Sequence, residues 1–457
     1  MRISDILDQD IGILGFGIEG RSMLDALRRA GHRALVHVFT REATALPAGA
    51  QLHVTHDAQI AWPKLDVVIR SPGFAPHHPL RRQLDAFGLA QTTATRLFLR
   101  EARALAVPLI GITGSKGKST TATLTHRTLE AAAIPSVLVG NVGVSALDVL
   151  DRVRSERLAI IMELSSYQCA DLEAEFGPPI AGVLDLFPEH LDWHGTVEAY
   201  FAAKLRAFDT QRPDDIARYN EQAGAAAHLL AGLPARARAM NTHADLHFDA
   251  GWFCRGRERL FSDDGMLLFG LHNRRNAVAA LALSEPLGTR PEHLQQAVQS
   301  FAGLPFRLQR EASALGIEWV NDAISTAPEA VAAALSALAG PLTVRTLIVG
   351  GQQRGLNQSV LIRALAASSV RTLIALPDTG SDVARDARAA GLSCTLLEAE
   401  TLESAVQLAA AHTVAGEVCL YSPGAPSYNR YKSFEERGRE FRRLVSDLGA
   451  APEPRGR

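Results

Sequence analysis

The stretch Ile110 to Thr120, IGITGSKGKST, constrains the fold of this chain more than any other. It follows a short apolar run, Ala104 to Ile110, that reads as a strand, and it precedes a Thr/Ala/Leu-rich stretch that reads as a helix. Strand, glycine-bearing loop and helix in that order turn backbone N–H groups and a helix N-terminus toward a phosphate chain. Gly114, Ser115, Lys116 and Gly117 would form the loop, Lys118 would reach the terminal phosphates, and the Ser119 and Thr120 hydroxyls would hold Mg²⁺. The strict G-x-x-x-x-G-K-[ST] pattern is not met, because Ile112 stands where its first glycine belongs. The competing reading is a polar turn with two solvated lysines. The favoured one is an α/β chain that handles a nucleoside triphosphate.

A length of 457 residues suggests roughly three domains at about 150 residues each. A net charge of −2 gives no sign of a partner that is nucleic acid or a membrane surface. Arg437 to Arg443 interleave with Glu435, Glu436 and Glu440, which reads as a solvated helix face. Cys169, Cys254, Cys394 and Cys419 are isolated, so buried reduced thiols and a cytosolic compartment are expected. The acidic N-terminus MRISDILDQD has no long apolar region, so no signal peptide is expected. No run approaches the length of about 18 apolar residues that a membrane helix needs. The final PEPRGR reads as a frayed tail, and a monomer is the default expectation.

Residues 1–96 read as α/β. Asp10 to Gly15 is a strand, Gly15-Phe16-Gly17-Ile18-Glu19-Gly20 fits G-x-G-x-x-G, Ser22 to Ala30 is a helix, and Ala34 to Phe39 is the next strand. This suits a diphosphate, but NAD calls for an acid at the end of the second strand, where Phe39-Thr40-Arg41 stand. Asp66 to Arg70 is a buried strand ending in the turn Ser71-Pro72-Gly73. Residues 97–302 hold the phosphate loop, a strand Leu158 to Met162 ending at Glu163, a strand Ile180 to Leu184 ending at Asp185, and an Ala-rich helix Asn273 to Leu283. Carboxylates at such strand ends are candidate Mg²⁺ ligands. Residues 303–457 follow the linker Gly303-Leu304-Pro305, with strands at Thr346 to Val349, Thr372 to Leu376 and Glu417 to Tyr421. Strand and helix alternate again, as in a mostly parallel sheet.

An ordered set of segments resembles the Mur ligases of bacterial cell-wall synthesis, over nearly the whole chain and most closely their MurD type. GITGSKGKST resembles the ATP loop and GNVG, Gly140 to Gly143, the pattern G-N-I-G. ELSSYQ, Glu163 to Gln168, resembles E-L-S-S-F-Q. PEHLDWHGTVEAYFAAK, Pro188 to Lys204, resembles P-D-H-L-D-R-H-G…Y…A-K. HNRRN, His272 to Asn276, GLPFR, Gly303 to Arg307, and SPGAPSYNRYKSFEERG, Ser422 to Gly438, resemble H-N-x-x-N, G-L-P-H-R and S-P-A-x-A-S-F-D-x-F-x-x-F-E-x-R-G. The resemblance implies three domains: a Rossmann-like N-terminal domain binding UDP, a central P-loop-like ATPase domain, and a Rossmann-like C-terminal domain. It implies ATP-dependent addition of glutamate to UDP-N-acetylmuramoyl-L-alanine through an acyl phosphate, in peptidoglycan precursor synthesis.

The resemblance also implies roles for residues. Lys118, Glu163, His190 and Lys204 would be catalytic, with two Mg²⁺ ions held by Ser119, Glu163, His190 and a carbamate formed from CO₂ on Lys204. ATP would also meet Asn273, Asn276, Arg307 and Asp322. The UDP substrate would meet Gly15, Gly17, Gly20, Thr40, Arg41, Ser71, Pro72, Gly73 and Asn141. Glutamate would meet Thr326, Arg354, Ser427, Tyr428 and Phe434. The departures from the family pattern cluster in the C-terminal domain. The lysine of N-D-S-K-A-T-N is Ile324, the lysine of G-G-x-D-K-G is Arg354, and S-F-D is Ser427-Tyr428-Asn429. A planar guanidinium fork holds a carboxylate differently from a point charge. The rewritten pocket favours L-glutamate over D-glutamate, which is the alternative.

Overall fold

The computed structural model describes residues 1–41, 43–55, 60, 62–172, 177–220, 236–339, 342–428 and 430–450. The final PEPRGR and Asn429 lie outside them. The chain divides into two compact units, one holding Met1–Asp264 and Arg274–Ala297, the other Gly265–Asn273 and the chain from Val298 onward.

The first unit contains two parallel sheets. The N-terminal one runs Ala50–Val54, Val36–Thr40, Ile11–Leu14, Val67–Arg70, Ala90–Thr92. Its middle strands are buried apolar runs, as strands covered on both faces must be. The strand order reverses between Ile11–Leu14 and Val67–Arg70, so the crevice where ligands bind in such sheets opens at Gly15 and Ser71. The helix expected from Ser22 begins at Ile18, because Gly17 caps it.

The second sheet runs Arg236–Met240, Ile216–Asn220, Ile180–Val183, Leu109–Thr113, Ala159–Glu163, Ser136–Gly140, again all parallel. Its order reverses between Leu109–Thr113 and Ile180–Val183. The strand expected from Ala104 starts later. The helix Ala94–Ala104 takes that alanine, Ala106 turns left-handed at φ 51°, and Pro108 precedes the strand. One apolar core runs through both sheets, from Ile6 and Ile11 to Ile160 and Val183. A small antiparallel sheet, Leu246–Asp249, Trp252–Arg255, Glu258–Ser262, was not foreseen.

The second unit carries a sheet in the order Gln309–Arg310, Glu318–Asn321, Val418–Tyr421, Val344–Gly351, Thr372–Asp378, Thr395–Glu398, parallel except for its first strand. Arg437 to Arg443 are expected on a solvated helix face, yet Arg437, in the helix Phe434–Ala450, is 2% exposed. Arg437 donates to the carbonyls of Ala425 and Ala323, which staples two strand-end loops together. Charge spacing alone had hidden this, since backbone carbonyls accept from the two terminal nitrogens of the guanidinium in place of an acid. Cys169, Cys254 and Cys419 are buried, Cys394 is half-buried, and all four are free thiols. Among the described residues no helix is long and apolar enough to cross a membrane.

Candidate functional site

The phosphate loop leaves the strand Leu109–Thr113 and enters the helix Lys118–Ala131. Gly117 caps that helix at φ 85°, and a Cβ there would lie 2.3 Å from Asn276 Oδ1, so both backbone and space require glycine. Asn276 is thereby placed against the loop. Ser115 is buried and locked: its Oγ lies 2.8 Å from Tyr200 Oη, donates to Phe187 O and accepts from Phe187 N. Lys118 Nζ donates to Ser115 O at 2.9 Å. Ser119 is half-buried and Thr120 buried in the first helical turn. Lys116 is exposed and pairs with Glu189 at 2.5 Å.

Glu163 ends its strand at 2% exposure, and its Oε2 has no hydrogen-bond partner. A buried carboxylate oxygen without a donor costs free energy unless a cation or proton satisfies it. Lys204 is 1% exposed; its Nζ donates to Gly114 O at 2.7 Å and lies 4.8 Å from the Tyr200 ring centroid. Burial, then the charge of Lys118, pulls the Lys204 ammonium down to about 8. His190 has left-handed backbone at φ 54°, an uncommon conformation of the kind that gathers at functional sites. Its Nδ1 lies 2.9 Å from Tyr167 Oη, and burial lowers its basicity. Burial, then His190, pulls His194 down to about 4, and its Nε2 meets Ser166 Oγ at 3.0 Å. Asp185 is turned to Asn220, which donates to it at 2.9 Å. Among the described residues no three His, Cys, Asp or Glu side chains form a metal cage. The orphaned Glu163 oxygen nevertheless suits a hard cation, which takes oxygen ligands.

Gly15, Gly17, Gly20, Thr40, Arg41 and Ser71 to Gly73 stand at the carboxyl ends of the N-terminal strands or just beyond them, whereas Asn141 follows a strand of the second sheet. Gly15 has φ 90°, and a Cβ there would meet Ser71 and Phe74 at 3.0 and 3.1 Å. Gly17 caps the helix and Gly20 is buried in its first turn. Thr40 is half-buried and Arg41 exposed at the neighbouring strand end. In the turn, Ser71 is half-buried, Pro72 buried and Gly73 exposed. Asn141 is exposed beside the strand Ala159–Glu163, its N–H donating to Glu163 O at 3.3 Å.

Sequence reasoning missed what ties the two sheets of this unit together. Arg70, at the end of its strand, grips Asp171 with both terminal nitrogens. Gln168 Nε2 donates to Glu19 at 2.9 Å, and Trp193 Nε1 donates to Gly73 O at 3.2 Å. An arginine closing a buried apolar strand was the one available signal, because a charge there must have a partner.

In the second unit, Arg307 sits between two left-handed residues, Phe306 at φ 60° and Leu308 at φ 43°. Asp322 is 5% exposed and accepts from Ser422 Oγ at 2.7 Å and from Leu308 N at 3.2 Å. Burial pushes its carboxyl up to about 7. Asn273 donates to Phe269 O at 2.7 Å. Thr326, Arg354 and Ser427 lie on loops that follow three neighbouring strands, at their carboxyl ends. Thr326 and Arg354 are exposed, Ser427 is buried, Tyr428 is 66% exposed, and Phe434 packs partly against the core. Ile324 is half-buried near the first of these loops.

A phosphate-loop turn with its lysine, an orphaned strand-end carboxylate and a second parallel sheet with its own switch-point crevice are the features of a nucleotide-dependent α/β enzyme. Residues 112–284 match the Mur ligase middle domain. The chain is 36% identical to the UDP-N-acetylmuramoyl-L-alanine--L-glutamate ligase of Micromonospora sp., over 99% of this chain and 100% of that one. It is 37% identical to the protein of the same name from Xanthomonas euvesicatoria pv. vesicatoria, over 97% of each. MurF from Acinetobacter baumannii shares the fold with a TM-score of 0.61 at 18% identity, covering 99% of this chain and 93% of that one. MurC from Thermotoga maritima does so with a TM-score of 0.60 at 16% identity, covering 96% and 99%. The chain belongs to the Mur ligase family and is an ATP-dependent ligase with that family's α/β fold.

Proposed function

We propose that this ligase joins L-glutamate to UDP-N-acetylmuramoyl-L-alanine in the cytoplasm, as a step of peptidoglycan precursor synthesis. The observation that carries the catalytic part is the buried pair of Glu163 and Lys204 behind the phosphate loop. An ammonium drawn down to about 8 is partly neutral near physiological pH, and only the neutral amine adds CO₂, releasing one proton as the carbamate forms. The carbamate would share a cation with Glu163 and His190, and a further cation would sit at Ser119. Mg²⁺, when bound, supplies positive charge to phosphoryl oxygens.

The protein's own groups do the positioning. The loop from Gly114 to Thr120 cradles the phosphates and Lys118 lies at their terminal end, with Asn273, Asn276, Arg307 and Asp322 serving the nucleotide. Gly15, Gly17, Gly20, Thr40, Arg41, the turn Ser71-Pro72-Gly73 and Asn141 hold the UDP-linked substrate. Its alanyl carboxylate oxygen attacks the γ-phosphorus and ADP leaves. The glutamate amine then attacks the acyl carbonyl, loses a proton, and phosphate departs as the amide forms. Electrostatic stabilisation of the phosphoryl oxygens dominates both steps. Thr326, Arg354, Ser427, Tyr428 and Phe434 hold glutamate. The L preference is supported by the names of the relatives at 36% and 37% identity and by Ile324 and Arg354 replacing two lysines of the family pattern.

Substrate labelled with ¹⁸O in the alanyl carboxylate tests the chemistry. One labelled oxygen should appear in each phosphate released; unlabelled phosphate would exclude the acyl phosphate.

A further inference from the structure

Two positions near His190 depart from the family pattern together. Tyr167 stands where E-L-S-S-F-Q has phenylalanine, and Trp193 where D-H-L-D-R-H has arginine. They meet in space. Tyr167 Oη lies 2.9 Å from His190 Nδ1, and the two rings stand edge to face at 5.1 Å. The Trp193 ring packs on that of Tyr167 at 4.9 Å, and its Nε1 is anchored on Gly73 O at 3.2 Å. A phenylalanine at 167 has no atom for the bond to His190.

We propose that Tyr167, braced by Trp193, is a positioning residue that fixes the His190 ring so that Nε2 faces the cation. It rests on the reading of His190 as a cation ligand. A hydrogen bond at Nδ1 and the edge-to-face contact restrict rotation of the ring about its side-chain torsions. A cation on Nε2 requires the proton on Nδ1, so the phenol oxygen accepts that proton's hydrogen bond. Its own proton then turns to water, which the half-exposed position of Tyr167 admits. Partners of this kind on a ligand's second ring nitrogen typically account for about 10- to 100-fold in metal affinity.

The test is Mn²⁺ binding by the full chain in the presence of ADP and bicarbonate, followed by electron paramagnetic resonance of free Mn²⁺. Tyr167→Phe should weaken Mn²⁺ binding about tenfold and leave UDP affinity unchanged. His190→Ala should weaken it as well, and adding Tyr167→Phe to that variant should produce no further loss. A Tyr167→Phe affinity equal to wild type, with His190→Ala weakened, overturns this inference alone. An equal loss from Tyr167→Phe in both backgrounds overturns it too, because the phenol would then act without His190. Unchanged Mn²⁺ affinity in His190→Ala overturns the ligand reading itself.

Discussion

The Arg70–Asp171 pair is where a single substitution should do most damage away from the chemistry. Their side chains are 4% and 1% exposed, and Arg70 donates to both carboxylate oxygens. Arg81 adds a second guanidinium 3.5 Å from the same carboxylate, and burial already lowers its basicity. Asp171→Ala would leave Arg70 with Gln91 Oε1 at 3.2 Å as its side-chain acceptor. The pair as a whole is worth little against an apolar replacement, because its attraction offsets desolvation. Breaking it strands a buried cation and costs about 3–5 kcal/mol. At roughly 2–3 °C per kcal/mol for a unit of this size, melting should fall by roughly 6–15 °C. Arg70 precedes the turn Ser71–Gly73, and Asp171 follows the helix Ser166–Ala170, so the KM for the UDP substrate should rise as well. Thermal unfolding by tryptophan fluorescence reads the first effect, since Trp62 and Trp193 belong to the same unit. The double variant Arg70→Met with Asp171→Leu should recover most of the loss. A single variant melting within 2 °C of wild type would refute the claim that the pair is sealed from water.

Lys204→Ala should lose most activity in a phosphate-release assay and regain part of it with added short carboxylic acids; normal activity would discard the carbamate. Lys118→Ala should abolish turnover while leaving the affinity for the UDP-linked substrate unchanged in calorimetry. Asp322 has its pKa raised to about 7, so its contribution to stability is complete below the ordinary carboxylate range and is lost as pH rises through 7. Asp322→Asn, which keeps the acceptor for Leu308 N, should therefore match wild type in thermal melting at pH 4 and exceed it at pH 8, by up to about 4 kcal/mol. Ile324→Lys combined with Arg354→Lys should shift the ratio of L- to D-glutamate turnover toward D, and an unchanged ratio would remove these two positions from the stereochemical argument.

Much of the scaffold was legible because its signals are local. Apolar runs, such as those at Ile11–Leu14 and Ala159–Glu163, marked buried parallel strands, and the glycine loops marked strand-to-helix turns at sheet crevices. What stayed hidden depends on contacts distant in sequence. Asp171 and Arg70 are 101 residues apart, and neither position shows periodicity. Arg437 read as solvated because acids flank it, whereas the fold turns it inward onto carbonyls. The small sheet from Leu246 to Ser262, although local, was missed because its strands are only four or five residues long, two of them do not alternate, and its turns Ala250-Gly251 and Gly256-Arg257 are not the Asn-Gly or Asp-Gly pairs that mark a hairpin most strongly. The candidate catalytic residues rest on ordered motifs, while the Ser115–Tyr200–Phe187 clamp that holds the loop joins positions far apart in sequence and leaves no local signal.

The enantiomer of glutamate that this ligase adds, proposed above to be L, can be read from turnover. Phosphate release with ATP, Mg²⁺ and UDP-N-acetylmuramoyl-L-alanine, run in parallel with L-glutamate and D-glutamate, tests it most directly. Turnover with L-glutamate and none with D-glutamate is the predicted result, and the converse would contradict it, leaving Ile324 and Arg354 as substitutions that an ordinary D-glutamate pocket tolerates.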